Sequence, residues 1–115
     1  MGVVVAELDL VQGTLDVLIL RTLSWGPRHG YAIAEWIKQQ TDQALLVEEG
    51  ALYPSLHRLA ARRLIAAEWG FSENNRKARY YALTREGRRE LRSQETLWRR
   101  YVVAVSKVLH PAAEG

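Results

Sequence analysis

The chain of 115 residues contains no cysteine. Disulfides, thiol nucleophiles, thiolate zinc sites and iron–sulfur clusters are therefore excluded, and the composition fits a reducing cytoplasm, where we expect the protein to act. No apolar run is long enough to cross a bilayer, and the segment MGVVVAELDL has neither the basic flank nor the apolar length of a secretory signal. The sequence predicts one domain of ordinary size without a membrane segment.

Catalytic and metal-binding motifs are also missing. The three histidines, at positions 29, 57 and 110, form no helical i, i+4 pair, and no HExxH occurs. No nucleophile elbow, P-loop or paired-carboxylate site can be assembled from the remaining residues. We therefore predict no catalytic residue, no metal site and no cofactor.

Positive charge is concentrated in one part of the chain. The net charge is only +3, yet residues 76 to 100 hold nine Lys/Arg against three Glu, a balance of +6, while all other residues together sum to −3. Such asymmetry indicates a local anionic partner, for example a phosphate backbone.

Apolar spacing predicts two helices in the first third of the chain. LDVLILRTLSWGP begins at a Thr14 cap and ends at Gly26-Pro27, and its nearly continuous apolar character predicts burial on more than one side. RHG, residues 28 to 30, is a predicted turn that includes His29. YAIAEWIKQQT is the second helix, and ALLVEEG then reads as a short extended piece.

A third helix covers ALYPSLHRLAARR. Leu52, Leu56 and Leu59 recur on a packing side, whereas the opposite side presents aromatic and cationic groups. Pro54 is tolerated only in or near the first turn, so this helix is predicted to begin around residues 50 to 51.

Two short alternating segments predict a β-hairpin. LIAAEWGF, residues 64 to 71, and ARYYALT, residues 78 to 84, flank the turn-forming SENNRK. Tyr81 shares its face with Leu83 and is predicted to be core. Tyr80 points to the other face and either packs or contacts a phosphate.

A long final helix is predicted from a Thr84 cap to about Leu109, before Pro111. Leu91, Trp98 and Val105 recur every seven residues and mark an apolar seam. Roughly 25 helical residues extend about 37 Å, more than so small a domain can cover. Part of the seam is therefore predicted to face another chain.

Several short motifs of the sequence resemble those of the PadR family of bacterial transcriptional regulators. They are Gly30-Tyr31, Gly50-Ala51-Leu52-Tyr53-Pro54, His57-Arg58-Leu59, Leu64-Ile65 and the run from Arg79 to Gly87. The resemblance implies a mainly α fold with a small β-hairpin (α+β), a winged helix-turn-helix with a long C-terminal dimerisation helix. The predicted division is an arm at 1–11, poorly ordered at its start, the DNA-binding domain at 12–84, the dimerisation helix at 85–110 and a tail at 111–115.

The resemblance also implies functional roles. Residues 50 to 62 would be the recognition helix in the major groove, and the turn of the hairpin would lie along the backbone or in the minor groove. The predicted DNA-contacting set is Tyr31, Tyr53, Pro54, Ser55, His57, Arg58, Arg62, Arg76, Lys77 and Arg79. The predicted dimer or effector surface is Leu15, Leu91, Trp98, Tyr101, Val102, Val105 and Leu109.

The sequence thus predicts a homodimeric regulator of transcription, a repressor of an inverted-repeat operator released by an effector. Two alternatives stay open. The winged helix could serve only protein interaction, because a fold does not determine function. Trp98 either packs the dimer core or lines a pocket for a planar hydrophobic effector.

Overall fold

The computed structural model describes residues 13–113. Within that range it contains four α-helices and a three-stranded antiparallel sheet. In chain order these are α1 Thr14–Leu23, β1 Arg28–His29, α2 Gly30–Gln40, α3 Glu49–Ala61, β2 Ile65–Phe71, β3 Lys77–Leu83 and α4 Arg85–Leu109. The predicted α+β class with a winged helix-turn-helix order is confirmed.

One hydrophobic core joins the four helices to the base of the sheet. Its fully buried members come from α1, α2 and α3 at the predicted helical spacing, with Ile65 and Tyr81 from the sheet and Leu91 from α4. Tyr81 lies on the core face, as its parity with Leu83 predicts. Burial raises the pKa of Tyr81 above its ordinary value of 10.0, because a phenolate there would lose hydration.

The sheet has one strand more than predicted. Strand order is β1-β3-β2, and Arg28 and His29 pair with Tyr81 and Tyr80. The predicted turn at residues 28 to 30 is therefore wrong. A two-residue strand is too short to show a period of two, and its partner lies about fifty residues further along the chain.

Helix starts differ from the predictions by small amounts. Gly13, with φ 87°, is the N-cap of α1, and Thr14, the predicted cap, is the first residue of the helix. No side chain caps this end of α1. Helix α3 begins at Glu49, which places Pro54 just past the first turn. Proline has no N–H, so the Gly50 carbonyl lacks its usual helical partner, and Gly50 itself lies at the exposed start of the helix.

The start of α4 is fixed by contact with the turn between α3 and β2. The Thr84 hydroxyl accepts from the Gly87 N–H at 2.9 Å, as a predicted cap should. The same oxygen lies 2.8 Å and 2.9 Å from the carbonyl oxygens of Arg63 and Leu64, and the hydroxyl can donate its one proton to either. Gly87 packs so closely that a Cβ there would lie 2.0 Å from the Leu64 oxygen. The first turns of α4 therefore belong to the same core as the winged helix.

The predicted boundary between the DNA-binding domain and the dimerisation helix, at residues 84 and 85, coincides with the start of α4. The core continues across this boundary, because Leu91 of α4 packs into it. The arm at 1–11 lies outside the described residues, as do the last two residues of the tail. Across positions 13 to 113, none of the helices is both long and apolar enough to span a membrane.

Replacing Gly87 with alanine should destabilise the fold by about 1–3 kcal/mol or more, because the new methyl group overlaps a backbone oxygen that cannot move independently. Urea denaturation at fixed protein concentration would measure the destabilisation. Gly50→Ala is the matched control, since a Cβ there meets nothing within 4 Å and helical Gly→Ala replacements usually stabilise. Equal midpoints for the two variants would contradict the tight contact.

Candidate nucleic-acid interface

The exposed side of α3 gathers most of the predicted DNA-contacting residues of this helix. Leu52, Leu56 and Leu59 are buried, as their spacing predicts. The opposite side exposes Tyr53, Pro54, His57, Arg58 and Arg62. Aromatic, imidazole and guanidinium groups on one helix side can contact both phosphates and base edges.

Ser55 does not belong to that exposed side. It is only 3% exposed, and its hydroxyl accepts from Arg58 Nη2 at 3.2 Å. Its place among the predicted DNA-contacting residues is therefore wrong. Helical spacing puts Ser55 between Leu52 and Leu59, on the packing side, and a small hydroxyl with an internal partner is tolerated there.

Arg58 of α3 and Arg62, the residue that follows the helix, are paired with acids of other helices. Arg58 Nη2 also donates to Asp16 Oδ1 of α1 at 3.1 Å. Arg62 Nη2 lies 3.6 Å from Glu90 Oε2 of α4. The sequence contains no signal for these pairs, because their partners are far apart along the chain. Both side chains remain more than half exposed.

The N-terminus of α2 adds a second aromatic group beside α3. Tyr31 is exposed, as predicted, and its ring lies 6.4 Å from that of His29. His29 caps the helix, since its Nδ1 accepts from the Ala32 N–H at 3.2 Å. Tyr53 covers Gly30, where a Cβ would lie 2.8 Å from the Tyr53 hydroxyl. The start of α2 and the exposed side of α3 are thus in direct contact.

The turn between β2 and β3 is built as the SENNRK segment predicts. The Ser72 N–H donates to the Arg76 carbonyl at 2.8 Å, and the Asn75 N–H donates to the Ser72 carbonyl at 2.8 Å. Asn75 adopts φ 58°, the left-handed conformation that closes a three-residue hairpin loop and that asparagine tolerates. Arg76 follows at once and is exposed at the tip.

We call the β2–β3 hairpin beyond Ala67 and Tyr81 the wing. On its core-side face the register pairs Trp69 with Arg79 and Phe71 with Lys77. Both aromatic side chains are exposed, at 59% and 68%. Alternation places them on the core face, but the strands extend past the core, so sequence reasoning missed them as surface residues.

Two of the three cations of the wing, Lys77 and Arg79, lie over the Trp69 ring. Lys77 Nζ is 5.0 Å and Arg79 Cζ is 5.3 Å from its centroid. On the opposite face, Tyr80 packs across Gly70, meets the His29 ring edge-on at 5.5 Å and donates its hydroxyl proton to the Phe71 carbonyl at 2.9 Å. Of the two roles left open for Tyr80, these contacts favour packing.

The basic segment at residues 76 to 100 divides into two surfaces. Arg76, Lys77 and Arg79 lie on the wing, whereas a second group lies on the exposed side of α4, at Arg85, Arg88, Arg89 and Arg92. Lys77 and Arg79 belong to β3, and the core-facing end of that strand, where Tyr81 is buried, separates them from the first arginine of α4. The positive charge of residues 76 to 100 therefore does not form one continuous cationic surface.

A cleft of about 500 Å³ lies between α1 and α4 and contains the tryptophan of the predicted seam. Its walls are Gly13, Thr14, Val17, Gln94, Leu97, Trp98 and Tyr101. The rings of Trp98 and Tyr101 lie 6.2 Å apart, tilted by 30°. Leu97, a wall residue with 57% exposure, was not among the predicted seam residues.

The other predicted seam residues divide into two groups. Leu91 is buried within the chain, so its place on a partner-facing surface is wrong, and Leu15 is half-buried against the same core. Val105 is half-buried, whereas Tyr101, Val102 and Leu109 are exposed. Arg21 of α1 donates to Glu95 of α4 at 2.5 Å and 3.0 Å and holds the two helices together beside the cleft.

Known proteins share this arrangement. The model of the transcriptional regulator PadR-like family matches residues 19–93. A transcriptional regulator from Clostridium thermocellum has a similar structure, with a TM-score of 0.75 and 27% identity over 93% of this chain and 100% of that one. A PadR family transcriptional regulator from Eggerthella lenta has a TM-score of 0.72 and 35% identity, over 88% of this chain and 86% of that one. An uncharacterized protein from Lysinibacillus sphaericus is 31% identical over 78% of this chain and 83% of its own length.

The conformation of Asn75 yields a test of the wing. Asn75→Ala should destabilise the hairpin by about 1 kcal/mol, because a left-handed φ disfavours a residue with a Cβ and no amide, whereas Asn75→Gly should be neutral or stabilising. Asn74→Ala is the neighbouring control, since Asn74 has no positive φ. Urea midpoints would rank the three variants, and equal destabilisation by both alanine replacements would rule out the backbone explanation.

Proposed function

Because the chain belongs to the PadR-like family of transcriptional regulators, we propose that it is a homodimeric repressor that binds an inverted-repeat operator and is released by an effector. The family is one of regulators and not of enzymes. The observation that carries the proposal is the exposed side of α3 beside a cationic wing, both within the matched residues 19–93. An aromatic and cationic helix next to a cationic hairpin suits the groove and backbone of duplex DNA.

In this proposal α3 enters the major groove and the wing follows the adjacent backbone or minor groove. Tyr31, Tyr53, Pro54 and His57 face the duplex together with the wing cations. Arg58 keeps its Nε and Nη1 donors outside its two internal hydrogen bonds, so it can reach a base edge without breaking them. Arg62 exchanges Glu90 for a phosphate at small cost, since exposed ion pairs contribute only about 0–1 kcal/mol.

The C-terminal two-thirds of α4 supports the dimer. Beyond Leu91 the helix exposes large apolar side chains, of which Leu97, Trp98, Tyr101, Val102, Val108 and Leu109 share one side. An exposed apolar face of this length is typical of a surface covered by another subunit. Two-fold pairing through α4 would place the two α3 helices in successive major grooves, about 34 Å apart.

The cleft between α1 and α4 supports an effector site. Its volume of about 500 Å³ lies in the range of small-molecule pockets, and Trp98 and Tyr101 offer ring faces for a planar hydrophobic molecule. Since α4 is also the proposed dimer helix, an effector there would alter the angle between the subunits and hence the spacing of their α3 helices.

The DNA-binding proposal is tested by comparing wing and helix variants on a duplex selected from a random pool and on a scrambled duplex. Changing Arg76 and Lys77 to alanine should weaken both complexes by a similar factor and lower the salt slope by about 0.9 for each phosphate that is no longer neutralised. Arg58→Ala should cost roughly 1–3 kcal/mol on the operator and little on the scrambled duplex.

The charge-matched control changes Arg99 and Arg100, two exposed cations of α4, to alanine. This variant should bind both duplexes nearly as the parent does. A parent protein whose binding to every duplex lacks salt dependence would instead favour a winged helix used only for protein interaction.

The dimer proposal is tested at the exposed tryptophan of α4. Trp98→Ala should weaken self-association by roughly 3 kcal/mol, the usual cost of truncating a buried aromatic. Sedimentation at micromolar concentration measures the dimer fraction. Trp25→Ala is the control, because Trp25 is 67% exposed in the turn after α1 and lies off the seam. A parent protein that sediments as a monomer, or a Trp98 variant that dimerises as the parent does, would overturn the assignment.

A further inference from the structure

The wing contains an exposed tryptophan that the core does not need. Trp69 lies opposite Arg79 in the β2–β3 register, and Lys77 follows two residues away on the same face of the hairpin. The residue is 59% exposed, so burial in the core does not explain why a tryptophan occupies this position. Both cations instead lie over the ring, at 5.0 Å and 5.3 Å from its centroid.

We propose that Trp69 is a positioning residue for DNA binding, which holds Lys77 and Arg79 in place before the duplex arrives. The inference rests on the proposed function, because it concerns the same contact between wing and phosphate backbone. The partner is the sugar–phosphate backbone of duplex DNA, and the indole acts on it only through the two cations.

The physical reason is the flexibility of long cationic side chains. An exposed lysine or arginine samples many rotamers, and ordering it on a ligand costs entropy, so a side chain ordered beforehand binds more tightly. A cation over an aromatic face is attracted by the negative charge of that face, and tryptophan is the best ring for this contact. The contact uses the charge of the cation and leaves N–H donors available to phosphate oxygens.

Phe71 offers an internal comparison. It is 68% exposed, lies on the same face and is paired with Lys77 across the strands. Among residues 13–113, however, cations lie over the rings of Trp69 and Trp36, and no cation lies over the ring of Phe71. Exposure and strand position alone therefore do not create the contact.

The first measurement uses the free protein and needs no DNA. Proton NMR of the Lys77 Hε and Arg79 Hδ resonances should show upfield ring-current shifts in the parent. These shifts should vanish in Trp69→Leu, persist in part in Trp69→Tyr and remain unchanged in Phe71→Leu. Thermal unfolding of each variant shows whether the hairpin keeps its stability. Shifts that are absent in the parent, or that survive Trp69→Leu, would overturn the inference.

The second measurement uses salt-dependent DNA binding. Trp69→Leu should weaken binding to operator and scrambled duplex alike, by roughly three- to tenfold, as expected when two side chains are no longer ordered beforehand. The salt slope should stay as in the parent, because the same number of phosphates is still neutralised. Trp69→Tyr should recover part of the affinity, and Phe71→Leu should bind nearly as the parent does.

Failure of the inference can be distinguished from failure of the proposed function. The variant with both Lys77 and Arg79 changed to alanine should bind DNA more weakly and with a lower salt slope. If it does so while Trp69→Leu binds like the parent, positioning by Trp69 is wrong and the wing contact stands. If the double variant binds DNA like the parent, Lys77 and Arg79 do not contact phosphates and the inference falls, whereas DNA binding through α3 is judged separately by Arg58→Ala.

Discussion

The rest of the structure depends on the contact between the first turn of α4 and the turn that ends α3. The Thr84 hydroxyl caps α4 through the Gly87 N–H and also reaches the carbonyl oxygens of Arg63 and Leu64, while Gly87 leaves no room for a side chain against Leu64. Since β3 ends at Leu83 and α4 begins at Arg85, this one contact relates three surfaces. It sets the direction of the wing, the orientation of α3 and the line along which the exposed apolar face of α4 leaves the core.

Four of the exposed cations on the proposed DNA-binding surface each have a contact within the chain. Arg58 of α3 and Arg62 at its C-terminal end are held by Asp16 and Glu90, each supplied by a different helix, whereas two cations of the wing lie over the ring of Trp69. Exposed ion pairs of this kind contribute little to stability, so they order the side chains without binding them strongly. A cation–π contact does the same while leaving the hydrogen-bond donors unused. In both cases the cation is ordered by a weak internal contact while it keeps N–H donors for a further partner.

The first two turns of α4 and the longer remainder of the helix have different surroundings, and the boundary lies near Leu91. Before it, Gly87 and Leu91 pack into the core shared with the winged helix, and arginines cover the outer side. After it, aromatic and branched side chains are exposed beside the α1–α4 cleft. The family match ends at residue 93, close to this boundary. The family match therefore covers the winged helix and the start of α4, and Trp98 lies beyond it.

The sequence by itself determined the α+β class, the order of long elements, the packing side of α3, the Thr84 cap and the extent of α4, because each follows from local spacing and turn chemistry. Tertiary structure decided what local patterns cannot encode. Strand β1 exists only through its pairing with Tyr80 and Tyr81, and the burial of Ser55 and Leu91 depends on neighbours distant in sequence. Trp69 keeps the alternation of a core residue, yet it is exposed because the hairpin extends beyond the core that its base helps to cover. A period identifies the face on which a side chain lies, but only the packed fold determines whether anything covers that face.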